Sequence, residues 1–164
     1  MNDLDSVDLA ILASLQQDGR ISNADLAGRV GLTPPTVLRR VKLLEERGYI
    51  KGYTALLEPL AFGLNVTAFI LVETHAGSDY DQTAQDLIEL PGVAELHRLI
   101  GEWCFLLKVR TYSPQTLDEL VYRQLRSHPN VRRTLTTLAT STVLETTNLP
   151  LPDAPATQTT ASAR

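Results

Sequence analysis

Six basic side chains, Arg29, Arg39, Arg40, Lys42, Arg47 and Lys51, fall between positions 29 and 51, with only Glu45 and Glu46 against them. That stretch therefore carries +4. The chain of 164 residues is −4 as a whole, so everything outside the stretch carries −8. A compact basic patch on an acidic body suits polyanionic phosphate, and the acidic remainder keeps the protein soluble. Other reactive groups are scattered. His75, His97 and His128 fall at a predicted strand end, in a strand and at a helix end. Cys104 and His97 are conceivable as a nucleophile pair on adjacent strands. They have neither an orienting third residue nor a glycine-rich turn into a helix that would hold an oxyanion, so no enzyme is expected. A single cysteine excludes an intramolecular disulfide framework and a multi-cysteine zinc site, and agrees with a reducing compartment. No metal or cofactor is expected.

The basic residues need elements to present them. Leu4, Val7, Ile11, Leu12 and Leu15 recur at helical spacing over residues 4–17, with Asp3 and Asp5 at the end where the helix dipole favours carboxylates. Asp18 and Gly19 end this helix. Ser22 is a suitable N-cap for a short second helix, "NADLAGRV", which puts Leu26, Ala27 and Val30 on one side and stops at Gly31. A third helix starts with Thr33 as N-cap and Pro34 at the first helical position, where a missing N–H costs nothing. Pro35 is tolerated in the same turn. Val37, Val41 and Leu44 form a buried stripe, leaving Thr36, Arg39, Arg40, Leu43 and Arg47 toward the outside. Gly48 terminates the helix, and "YIKGYTALL" reads as a short β-hairpin, or wing.

Three short helices, the last two joined by a tight turn and followed by a strand pair, make a winged helix-turn-helix. Arg39 and Arg40 lie in the first two turns of its third helix, where a recognition helix meets base edges in the major groove. The side chains expected to face double-stranded DNA are Thr33, Pro35, Thr36, Arg39, Arg40 and Arg47. One such helix reads half a palindrome, so a dimer is expected.

Residues 58–65, with Pro59 and Gly63, read as a linker between a DNA-binding domain at 1–57 and a second domain at 66–148. The second domain shows strands at 66–75, 93–100, 103–111 and 131–145 and helices at 78–90 and 113–128. The order βαββαβ, without a glycine-rich phosphate loop, is that of a ferredoxin-like fold, making the chain α+β. "AFILV" and "CFLLKV" are apolar at nearly every position, so the sheet face without helices is expected to pack against another copy. Residues 149–164, rich in Pro, Ala and Thr, read as a disordered tail. No apolar run reaches a membrane span and the first residues are acidic, so a cytoplasmic protein without membrane association is expected.

The strings "LDSVDLAIL", "DGRISNADLAGRVGLTPPTVLRRVKLLEERGYIKGY", "PGVAELHRLIGEWCFLLKVR" and "HPNVRRTLT" resemble the Lrp/AsnC (leucine-responsive/asparagine-responsive) family of bacterial and archaeal transcription regulators, from residue 3 to about residue 148. The resemblance implies a sequence-specific regulator, acting on operators that include its own promoter. It implies dimers assembled into higher even oligomers such as octamers, and an amino acid or related small metabolite bound between dimers. In the family a Gly-x-x-Asp motif between the second and third strands holds the effector's ammonium. The corresponding run here is Gly101, Glu102, Trp103 and Cys104. The glycine is present and the aspartate is not. A thiol with pKa about 8.5 is mostly neutral at pH 7 and cannot anchor an ammonium group as a carboxylate does. Three readings follow: a different or differently held amino acid, Glu102 as a substitute, or no small effector. Thr134 and Thr136 fall where the family carries polar residues near the effector. Two other readings of the helix-turn-helix are an architectural DNA-wrapping protein, which the −8 outside the patch opposes, and a sensor whose helix-turn-helix serves a protein partner.

Overall fold

The computed structural model of the protein describes residues 4–152. It comprises α1 (Ser6–Gln17), α2 (Asn23–Val30), α3 (Pro34–Glu46), a 3₁₀ turn (Pro59–Phe62), β1 (Val66–Thr74), α4 (Tyr80–Ile88), β2 (Val93–Arg98), β3 (Phe105–Thr111), α5 (Pro114–Glu119), a π-helical turn (Leu120–Leu125) that continues it, and β4 (Val131–Leu138). Two compact units result. One holds the residues up to Leu56 together with those from Glu145 onward, and the other holds Leu57–Leu144.

In the first unit two of the three helices start on a side-chain cap. Asp5 caps α1 in a reciprocal box with Asp8: the Asp8 N–H donates to Asp5 Oδ1 at 2.8 Å and the Asp5 N–H to Asp8 Oδ2 at 3.3 Å. Asp3 lies outside the described residues. Ser22 caps α2, which ends on Gly31 in the left-handed region at φ 69°. Thr33 starts α3 without a side-chain cap bond. Pro34 and Pro35 have no N–H to offer it, and the first free donor, the Thr36 N–H, goes to the Thr33 carbonyl at 3.0 Å. The two hydroxyls pair instead, at 2.9 Å. Ile11, Leu26, Ala27, Val37, Val41 and Leu44 form the core.

The expected wing hairpin is absent as a strand ladder: residues 49–57 carry no strand. The Tyr49 and Ile50 N–H groups donate to the Leu44 carbonyl at 2.9 and 3.3 Å, folding the segment onto the end of α3. The Tyr53 hydroxyl donates to Glu45 Oε1 at 3.0 Å. Burial first, then that bond, push the Tyr53 pKa up to about 12.

The second unit is a four-stranded antiparallel sheet in the order β2-β3-β1-β4, the ferredoxin-like arrangement. Ala68, Ile70 and Val72 of β1 and Phe105, Leu107 and Val109 of β3 point to the helix side, against Leu87, Leu117, Leu120 and Leu125. Their neighbours along each strand are only half-buried or exposed, so the apolar runs alternate in burial after all. β4 was expected to reach 145 but stops at Leu138. Its neighbour β1 pairs Ala68 with Leu138, two residues from its start at Val66, and the Thr67 carbonyl takes the Ala139 N–H at 2.9 Å. Pro59–Phe62, read as linker, belongs to this unit, and the segment from Glu145 belongs to the first. Of the tail expected at 149–164, residues 153–164 lie outside the described residues. No helix among the described residues is long and apolar enough to cross a membrane.

Candidate functional site

On α3, the burial of Val37, Val41 and Leu44 turns the opposite stripe, Pro35, Arg39 and Lys42, to solvent. Leu38 stands beside it, 54% exposed. Thr33 and Pro35 are exposed at the helix entry, and Thr36 is half-buried there. Arg47 is the C-cap at the far end, exposed. Leu38 is not among the residues expected there, and Lys42 is expected only as part of the basic patch. Counting one turn on from Pro35 and from Arg39 finds both. A leucine among basic residues on an outward stripe fits a thymine methyl group in the major groove.

Arg40 corrects the expectation. Its Nη1 donates to Asp8 Oδ1 at 2.6 Å and Asp5 Oδ2 at 2.8 Å, and its Nε is buried without a partner. It faces α1 and clasps α3 to it. The bonds from Asp8 and then Asp5 raise the guanidinium pKa. The Asp8 backbone N–H, against burial and with help from Arg40, holds the Asp5 carboxyl below the usual carboxylate range.

Around the turn at 99–104 the six expected effector residues separate. Glu102 accepts from Arg133, and Trp103 lies under the same guanidinium, 4.4 Å from ring centroid to Cζ. Arg133 also donates from Nε to Glu73, whose other oxygen accepts from Arg132 Nη1 at 2.6 Å. Glu102 is therefore paired with a guanidinium through one oxygen, its side chain 67% exposed. Cys104 lies on the helix side, accepting from the Thr74 hydroxyl at 3.4 Å, with Sγ 3.8 Å from Tyr80 Oη. Burial pushes its thiol up, but the Thr74 hydroxyl and backbone and Tyr80 together draw it below its ordinary value. Thr136 lines a cleft of ≈ 220 Å³ with Pro114, Leu117, Asp118, Val121 and Leu138, again on the helix side. Thr134, two residues earlier on the strand, shares that face. Gly101 is exposed at φ 141°. His97 pairs with Glu95 at 3.2 Å opposite Leu106, on the face away from Cys104, so the two do not meet. No cluster among the described residues could hold a metal ion.

The ion pairs set a pH dependence. The Arg133 hydrogen bond, against desolvation and with help from Arg132, holds Glu73 below its ordinary 4.5. A carboxyl depressed on folding contributes stability that is present above its unfolded pKa and lost as pH falls through the folded value. Glu95 and Asp86 are lowered in the same way, by Lys108 and His128 first. Thermal stability is expected to be flat above about pH 5 and to fall through the acidic range below it. Glu73→Gln should shallow that slope, as differential scanning calorimetry between pH 3 and 7 would read; a slope equal to wild type would contradict the assignment.

Residues 4–51 match the winged helix-turn-helix DNA-binding family, and residues 67–149 match the Lrp/AsnC ligand binding domain family. The chain is 36% identical over 149 residues to the leucine-responsive regulatory protein of Escherichia coli K12, covering 90% of this chain and 91% of that one. It is 34% identical over 148 residues to the HTH-type transcriptional regulator FL11 of Pyrococcus horikoshii, covering 90% and 97%. Among solved structures it is similar to a transcriptional regulator of Neisseria meningitidis in complex with L-Met, with TM-score 0.86, 34% identity, and 90% and 96% of the two chains covered.

Proposed function

The chain belongs to the Lrp/AsnC family of helix-turn-helix transcriptional regulators, and from that premise we propose that it reads operator DNA with the outward stripe of α3 under control of an amino acid or related small metabolite. The observation that carries the reading is the division of α3: a buried stripe, one arginine turned inward, and Pro35, Leu38, Arg39 and Lys42 presented together. Thr33 and Thr36 shape the helix entry, and Arg47 adds charge at its far end. The effector would be held at the 99–104 turn, where Arg133 already covers Trp103 and occupies Glu102. Support for an amino acid comes from the L-Met complex of the Neisseria relative. Cys104 and the paired Glu102 favour a ligand held otherwise than by a carboxylate on its ammonium. Such a regulator works in the cytoplasm, and the DNA upstream of its own gene is the first operator to try.

Trp103 is the single tryptophan of the chain, which makes the turn its own reporter. Titrating the common amino acids should give a saturable fluorescence change with one or a few of them, and the same ligands should shift binding to labelled DNA. Silence across the panel with DNA binding intact would remove the effector half of the proposal and leave the DNA half standing.

A second copy would cover the open sheet face, where Phe69 and Leu135 are 40% and 49% exposed and Leu71 and Leu106 are half-buried. The resulting dimer presents two α3 helices to a palindrome, and dimers would assemble into higher even oligomers. Leu135→Asp is expected to lower the mass seen by light scattering to that of smaller species and to weaken operator binding. An unchanged mass would place the contact elsewhere.

A further inference from the structure

Beyond β4 the chain returns to the DNA-binding unit. Residues from Glu145 onward group with that unit and not with the sheet they have just left. Two hydrogen bonds tie Leu149 to α1. Gln16, on the last turn of α1, accepts the Leu149 N–H on Oε1 at 2.6 Å and donates from Nε2 to the Leu149 carbonyl at 3.2 Å. A carboxamide bonded to both backbone groups of one residue reproduces what a neighbouring strand would do. The Leu149 side chain takes little part, being 70% exposed. Nearby, the Asn148 N–H donates to Thr146 Oγ1 at 3.1 Å and shapes the approach.

Gln16 lies at one end of α1, and the Asp5 and Asp8 that clasp Arg40 lie at the other. A helix of 12 residues is a stiff rod, about 18 Å long. It is thus bonded at both ends, to Leu149 at one and to Arg40 of α3 at the other.

We infer that residues 145–149 form a strap whose backbone, gripped by Gln16, positions α1 and through the Asp5/Asp8–Arg40 clasp sets the pose of α3 for DNA. Gln16 is a positioning residue for DNA binding. The strap and both helices it acts on belong to the first unit. The inference rests on α3 being the reading helix.

The test is a double-mutant cycle in the full chain. Gln16→Met removes both bonds at similar volume, and Leu149→Pro removes the donor from the other side. Each is expected to weaken operator binding about fivefold, the scale of one or two net hydrogen bonds, and the double variant should be no weaker than either alone. Gln16→Glu keeps the acceptor for the Leu149 N–H and should recover part of the loss. Hydrogen exchange should show the Leu149 amide protected in the wild type and open in Gln16→Met. Circular dichroism at the assay temperature separates these effects from unfolding. Additive losses, or wild-type affinity in both single variants, would overturn the strap. If Arg39→Ala also leaves affinity unchanged, the reading helix itself is wrong; if Arg39→Ala weakens binding and the Gln16 variants do not, only the strap fails.

Discussion

Arg39→Ala is expected to weaken operator binding by about 1 to 3 kcal/mol while leaving thermal stability within about 0.5 kcal/mol of wild type. Arg40→Met should do the reverse in kind: it costs stability first and DNA affinity only as a consequence. The two arginines are neighbours in sequence, yet Arg39 is exposed and Arg40 is bonded to two carboxylates of α1. Removing Arg40 leaves Asp8, with its side chain only 15% exposed, without its counter-charge. Severing a fully buried pair costs about 3 to 5 kcal/mol; here Arg40 is 27% and Asp5 50% exposed, so about 1 to 2 kcal/mol is the appropriate scale. Fluorescence anisotropy with labelled operator at several salt concentrations, alongside thermal melts, distinguishes them. A phosphate contact at Arg39 would lower the salt slope by about one, whereas a base contact would leave it and relax sequence preference. Stability loss in Arg39→Ala with affinity kept would show that the outward stripe has been misread.

The second large effect belongs to Gly92. Its φ is +83°, and a Cβ built there would stand 2.4 Å from the Arg110 carbonyl oxygen. That oxygen is backbone of β3, and the Arg110 N–H donates to the Gly92 carbonyl at 2.8 Å, so β2 cannot retreat without breaking its first attachment to the sheet. Gly92→Ala therefore combines a left-handed backbone penalty with a backbone collision, and about 3 to 5 kcal/mol is expected, enough to unfold the second unit near physiological temperature. Gly101→Ala is the comparison. Gly101 also has positive φ, but nothing lies within 4 Å of its Cβ position, so only about 1 kcal/mol is expected. Calorimetric unfolding of both variants is the measurement. Equal, small losses would mean that the approach of Gly92 to β3 relaxes freely.

What the sequence determined by itself is whatever short-range physics specifies. Ser22 and the Thr33–Pro34 pair start helices because capping and proline geometry act over three or four residues. Gly31 ends one because only a few residue types accept the left-handed region. The stripes of α3 follow from a period of 3.6, and the βαββαβ order from successive apolar runs and turns. The tertiary structure decided everything that depends on a distant partner. Arg40 lies at the border of the buried stripe, where periodicity allows either direction, and carboxylates 32 and 35 positions away turn it inward. Trp103 and Cys104 are adjacent in the turn, yet one stacks under Arg133 and the other turns toward Tyr80. β4 stops at Leu138, opposite Ala68 near the start of β1. Leu149 is held by a glutamine 133 positions earlier. Propensity and periodicity decay within a turn or two of chain, whereas an ion pair or a backbone bond forms between whichever groups the fold brings within about 3 Å, and that juxtaposition exists only once the fold has formed.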